Sequence, residues 1–150
     1  MALGRFSLFA AALLGAAACG KKAAPVPPAP PAVPPAPAPS VSTIETGKHL
    51  DANRRVTANE TVFAPRDTIY LVVVTENGAA GSTLVAKWTF QTGQTVDSTQ
   101  QAVAQTDSAH PASVTEFHLV KPSGWPAGKY RVEVWLNGVS TGSREIEVRK

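Results

Sequence analysis

The chain has one cysteine, Cys19, among its 150 residues. No disulfide can form within it, and no second thiol exists to complete a redox pair or a cysteine-rich metal site. It also lacks an apolar run long enough to cross a bilayer as a helix. The longest candidate, Phe6 to Ala18, falls short of the roughly 20 residues that a span needs. An excess of charge of one sign is missing from most of the chain as well. All 11 Asp and Glu lie beyond Val41, whereas Arg5, Lys21 and Lys22 of the 14 Lys and Arg lie before it. The formal +3 therefore belongs to the N-terminal segment, and the rest is balanced. A nucleic-acid reader would need positive charge clustered on its folded part, so no nucleic-acid partner is expected.

Signatures of chemistry are absent too. His49, His110 and His118 are scattered and match no local metal motif, and there is neither a GxSxG elbow nor a phosphate-binding loop. Acidic residues are dispersed. Glu145 and Glu147 share a strand face, where like charges are ordinarily solvated. These readings point away from an enzyme, a metal and a cofactor. An enzyme with an unrecognised site is the least favoured class.

What the chain does have is a strongly partitioned layout. Met1 to Arg5 is short and basic, Phe6 to Ala18 is apolar or small, and the small residues Ala16-Ala17-Ala18 lead directly into Cys19. This layout suits a signal peptide, and it resembles the lipobox of bacterial lipoproteins. Ala16 stands where that family most often has leucine. The resemblance implies cleavage before Cys19, acylation of Cys19 and a bilayer partner through the lipid. Gly20 follows rather than the aspartate associated with inner-membrane retention, so the resemblance implies outer-membrane delivery, facing the periplasm.

Nine of the 13 prolines fall between Pro25 and Pro39. Proline fixes φ and removes the amide donor, which excludes helix and sheet. Residues 19–40 are thus expected to be a disordered, proline-rich linker. As an extended polyproline II segment it would reach about 45 Å, at about 3.1 Å per residue.

Residues 41–150 read as all-β, with short alternating runs and turn residues between them. Ile69 to Val74 is a β-branched run suited to a central strand, closed by Asn77-Gly78. Leu84, Ala86, Trp88 and Phe90 alternate with polar neighbours, and a weaker strand is expected near 94–103. Val114 to Val120 alternates again. Tyr130, Val132, Val134 and Leu136 form the cleanest strand, Asn137-Gly138 begins its hairpin loop, and Ile146 and Val148 mark the last strand. One more strand from Ile44–Val56 makes about seven. The central Trp88, and Tyr130 two residues before Val132, resemble the core tryptophan and the tyrosine corner of immunoglobulin-like β-sandwiches. That resemblance implies an inward Val132 where antibody domains carry a cysteine, with Leu71 or Val73 opposite.

Apolar parity supplies the candidate binding residues. Tyr70, Val72 and Val74 oppose the inward Ile69, Leu71 and Val73, and Val120 continues the second face of the strand near Val114. An outer apolar patch containing Tyr70, Val72 and Val120 is expected to be an interaction site, unless a loop covers it. Trp135 has the opposite parity to Val132 and Val134 and is expected to project outward, where tryptophan anchors a partner or stacks on a sugar. Trp125 is expected to plug the sandwich end. The leading expectation is a non-catalytic envelope module that binds another envelope protein. Binding to carbohydrate or peptidoglycan is the second.

Overall fold

The computed structural model describes residues 35–150. Eight strands follow in order: β1 (Ser40–Gly47), β2 (Val62–Phe63), β3 (Ile69–Glu76), β4 (Thr83–Phe90), β5 (Thr95–Ala102), β6 (Ala112–Leu119), β7 (Gly128–Leu136) and β8 (Val139–Val148). They form a three-stranded sheet, β1-β3-β6, and a five-stranded sheet, β2-β8-β7-β4-β5. All neighbours are antiparallel except β2 and β8. The eighth strand is the two-residue β2, which was not apparent from periodicity. It is too short to alternate, yet its Phe63 is buried in the core.

Side-chain parity explains the packing. Ile69, Leu71 and Val73 from β3, and Phe117 from β6, meet Leu84, Ala86 and Trp88 from β4 and Tyr130, Val132, Val134 and Leu136 from β7. Trp88 lies directly opposite Val132 on the neighbouring strand, and both are buried. Fully burying a side chain of Val or Leu size contributes about 1.5–3 kcal/mol. Aliphatic packing thus occupies the place where antibody domains hold a cystine.

Local chemistry sets the turns. β7 and β8 join through Asn137-Gly138 with φ of 50° and 81°, both positive as a two-residue type I′ hairpin requires. At the other end of β7, the Tyr130 hydroxyl donates to the Pro126 carbonyl at 2.8 Å. Trp125 packs edge-on against the Tyr130 ring, with centroids 5.5 Å apart, and its indole N–H donates to the Asp67 carbonyl at 3.2 Å. The tyrosine corner is present, and Trp125 is buried beside it.

This strand order defines an immunoglobulin-like β-sandwich. One feature separates it from the constant-domain arrangement: β5 stays beside β4 in the larger sheet instead of crossing to β6. The smaller sheet consequently ends at β6.

Replacing Tyr130 with Phe is expected to lower stability by about 1 kcal/mol, read from urea unfolding at pH 7. Burial pushes the Tyr130 phenol above its ordinary value of 10.0. The neutral form is the one the fold favours, so this contribution is complete below pH 10 and is lost as pH rises through the raised value. Tyr130→Phe should therefore flatten part of the alkaline fall in stability.

Candidate functional site

The outer face of the three-stranded sheet is covered over its centre, at Val72. Pairing across it places Glu45, Val72 and Glu116 in one row, and Gly47, Tyr70 and His118 in the next. Over these rows folds the segment 48–60. Asp51 shapes it: its carboxylate accepts from the backbone N–H of Asn53 at 2.8 Å and of Arg55 at 2.9 Å. The intervening Arg54 adopts φ of 61°. This turn directs Arg55 onto Glu45 at 2.9 Å and Arg54 onto Glu116 at 3.4 Å. A Cβ on Gly47 would lie 2.9 Å from the Val56 side chain, so glycine is what lets the cover sit this close.

The expected patch of Tyr70, Val72 and Val120 is therefore corrected. Val72 is fully buried and offers no surface. Tyr70 is half-buried, with its ring 5.9 Å from that of His118. Only Val120 is well exposed, at 59%. It borders a different opening, a cleft of about 180 Å³ shared with Val96, Leu119, Lys121 and Trp125. Ile69, Leu71 and Val73 do face the core as expected, but the residues that cover the second face of β3 come from a stretch expected to contribute a strand.

Trp135 stands on the opposite side of the sandwich, on the outer face of the five-stranded sheet. It is half-buried between Val85 of β4 and Ser140 of β8. Below it the same face carries Lys87 beside Glu133, then Thr89 beside Arg131 and Glu145, then Lys129 beside Glu147. Arg131 pairs with Glu145, and Arg149 with Glu147, whose carboxyl it holds below the ordinary range. No segment among the described residues forms a counterpart to the 48–60 cover here. The face is a flat, polar field with one aromatic. At its far end a shallow hollow of about 280 Å³ is lined by Phe90, Gln91, Lys129, Arg131 and Glu145. Tyr70, Val72, Val120 and Trp135 thus do not converge on one surface. Cys19 lies outside the described residues.

A second charged group is structural. Lys48 bridges Glu60 at 3.0 Å and Asp67 at 3.2 Å, with its ammonium 5.8 Å from the centre of the Phe63 ring. Asp67 also accepts from the Ala64 backbone N–H at 2.8 Å. That bond first, and Lys48 after it, hold its carboxyl below the ordinary range. The three charges bind the cover segment to the β2–β3 turn. Among the described residues no group of His, Cys, Asp and Glu is placed to hold a metal ion.

No protein-family model matches the chain, and no curated protein is similar enough in sequence to count as a relative. Among solved structures, the chain is similar to an immunoglobulin-like protein from Pseudomonas aeruginosa. The TM-score is 0.53 at 15% identity, over 76% of this chain and 98% of that one. An alkylpurine DNA glycosylase from Pseudomonas fluorescens, bound to DNA containing an abasic site analogue, aligns with a TM-score of 0.46 at 16% identity. That alignment covers 75% of this chain and 30% of the glycosylase. At such identities the likeness to the first protein supports the fold alone, and the second carries no argument.

Burial orders the expected cost of substitution. Val72→Ser places a hydroxyl in a closed apolar site and should cost about 2 kcal/mol or more. Trp135→Ser should cost clearly less than Val72→Ser, with urea midpoints of the two variants giving the comparison.

Proposed function

We propose that this protein is a non-catalytic lipoprotein of a bacterial cell envelope, anchored through acylated Cys19. Its β-sandwich presents the outer face of the five-stranded sheet to another envelope protein. The observation that carries the binding part is the contrast between the two sheets. One outer face is covered over Val72 by segment 48–60 and its arginine pairs, whereas the other holds Trp135 among uncovered polar side chains. An aromatic ring on a face of mixed charge, with Lys87 beside Glu133 one row below and Arg131 paired with Glu145 beyond, gives apolar contact within a polar rim.

The anchoring part rests on sequence: a basic start, an apolar run short of a span, and Ala16-Ala17-Ala18 leading into Cys19. The proline-rich stretch that follows would hold the domain away from the bilayer, with outer-membrane placement facing the periplasm favoured by Gly20 after the cysteine. Binding to a cell-wall glycan is the second reading. It draws on the same Trp135, flanked by Ser140 and by Lys87 and Glu133 one row below.

Intact mass spectrometry of the membrane fraction should find a chain beginning at Cys19 and carrying lipid mass. Cys19→Ser should lose both the lipid and the membrane. A soluble, unlipidated wild-type chain would refute the anchor. Capture from envelope extracts should fall at least about tenfold for Trp135→Ser, a loss of 1.4 kcal/mol or more in binding, with Val120→Ser unchanged. Enrichment on purified cell-wall sacculi that is lost in Trp135→Ser would favour the glycan instead.

A further inference from the structure

An edge strand exposes backbone donors and acceptors, and folded proteins usually obstruct them. In this sandwich the obstruction is visible on three of the edges. On β1, the Ile44 carbonyl accepts from the Arg144 guanidinium at 2.7 Å. Further along β1, the Thr46 N–H donates to the Asn59 side chain at 3.4 Å, and the Thr46 carbonyl accepts from Glu60 N–H at 2.7 Å. On β6, the Glu116 carbonyl accepts from the Gln101 amide at 2.7 Å. At the β2 end of the larger sheet, the short β2 and its flanks cover β8: Glu147 N–H donates to the Thr61 carbonyl at 2.7 Å, and Arg149 N–H to the Phe63 carbonyl at 2.9 Å.

β5 is different. Val103 N–H, one residue past its end, donates to the Ser82 carbonyl at 2.9 Å. Alternation along the strand then turns the backbone of Gln101, Thr99 and Asp97 toward β4, and that of Ala102, Gln100 and Ser98 away from the sheet. Those outward groups have no hydrogen-bond partner among the described residues. The strand contains no lysine, arginine or proline, and its one charge is Asp97. The bulge opposite Trp88 and Thr89 twists only the Thr95 end.

We propose that β5 is a self-association edge, on which a second copy of this chain adds its own β5 antiparallel and joins the two five-stranded sheets. Composition and parity select the register. Outward groups must meet outward groups, so the two-fold axis passes through a residue and not between residues. Centring it on Thr99 pairs Asp97 through Gln101 without drawing in the bulged Thr95 end, which centring on Ser98 would do. It sets Ser98 against Gln100 of the second copy as hydrogen-bonded pairs, and Thr99 against its own copy as a close, non-hydrogen-bonded pair. Asp97 then faces Gln101 rather than another carboxylate, so no like charges meet across the junction.

The test uses the full-length chain in mild detergent. Sedimentation should find a dimer. Gln100→Pro and Ser98→Pro each delete an amide that points out of the sheet, so the fold tolerates them while association weakens at least about tenfold. Circular dichroism checks the fold. In a Cys19→Ser background, Thr99→Cys should form a disulfide-linked dimer on mild oxidation, because directly opposed residues of this kind have Cα atoms close enough to bridge. A mixture of Asp97→Cys and Gln101→Cys chains should cross-link to each other. A wild-type chain that stays monomeric at about 100 µM, a range that weak but specific pairing would populate, overturns the proposal. So does a dimer that ignores both proline variants, or a Thr99→Cys chain that fails to cross-link.

Discussion

Everything in this sandwich is referred to the inward side of β7. Tyr130, Val132, Val134 and Leu136 all point into the core, and β7 lies between β4 and β8. With Trp88 locked opposite Val132, a slip of one residue would turn four large apolar side chains into water and bring Arg131, Glu133 and Trp135 inside. The placement of Trp135 on the open face follows from that pairing rather than from any contact of its own. The tyrosine corner fixes the start of the same strand, where the Tyr130 hydroxyl reaches back to Pro126 and the Trp125 ring closes over it.

The two sheets then meet solvent in different ways. β3 is apolar on both faces, because its second face is covered by its own chain. The cover is secured by charges at its rim, Arg54 with Glu116 and Arg55 with Glu45, while Val72 sits dry beneath. Exposed ion pairs contribute little stability individually. Here their role is to fix where the loop lies, and burial of Val72 supplies the driving force. On the larger sheet Arg131 pairs laterally with Glu145 within the face, and among the described residues no segment lies over it.

Much of this was legible in the residues. Strong alternation located β4, β6 and β7, Ile146 and Val148 marked the end of β8, the β-branched run located β3, and the tryptophan and tyrosine positions identified the sandwich. The candidate site was only half legible. Parity assigns a side chain to a face and carries no information on what lies over that face, so Val72 and Trp135 looked alike. What separates them is the segment 48–60. Its turn depends on an Asp51 side chain accepting from two amides, a local signal with no hydrophobic period. β2 escaped for a related reason: two residues cannot alternate, and Phe63 is placed by the parallel pairing with Val148, a partner far along the chain. Strand β5 could be located from sequence, but its sheet could not, because assignment to β4 or β6 rests on backbone pairing and not on its polar side chains.

The bond between Arg144 and the Ile44 carbonyl joins residues one hundred positions apart. A chain that emerges from a ribosome or a translocation channel does so from its N-terminus, so β1 is delivered early and the arginine that shields its edge at Ile44 arrives a hundred residues later. Asn59 and Glu60 cover the Thr46 end of β1 soon after, but until Arg144 follows the strand's Ile44 carbonyl lacks its shield. Its sequence suits such a wait, since Ser40 to Thr46 has only Val41 and Ile44 as large apolar residues and carries Glu45. The protein is thus arranged in time as well as in space: backbone that waits for its shield is given weakly adhesive side chains, and a strand a hundred residues on brings the clasp.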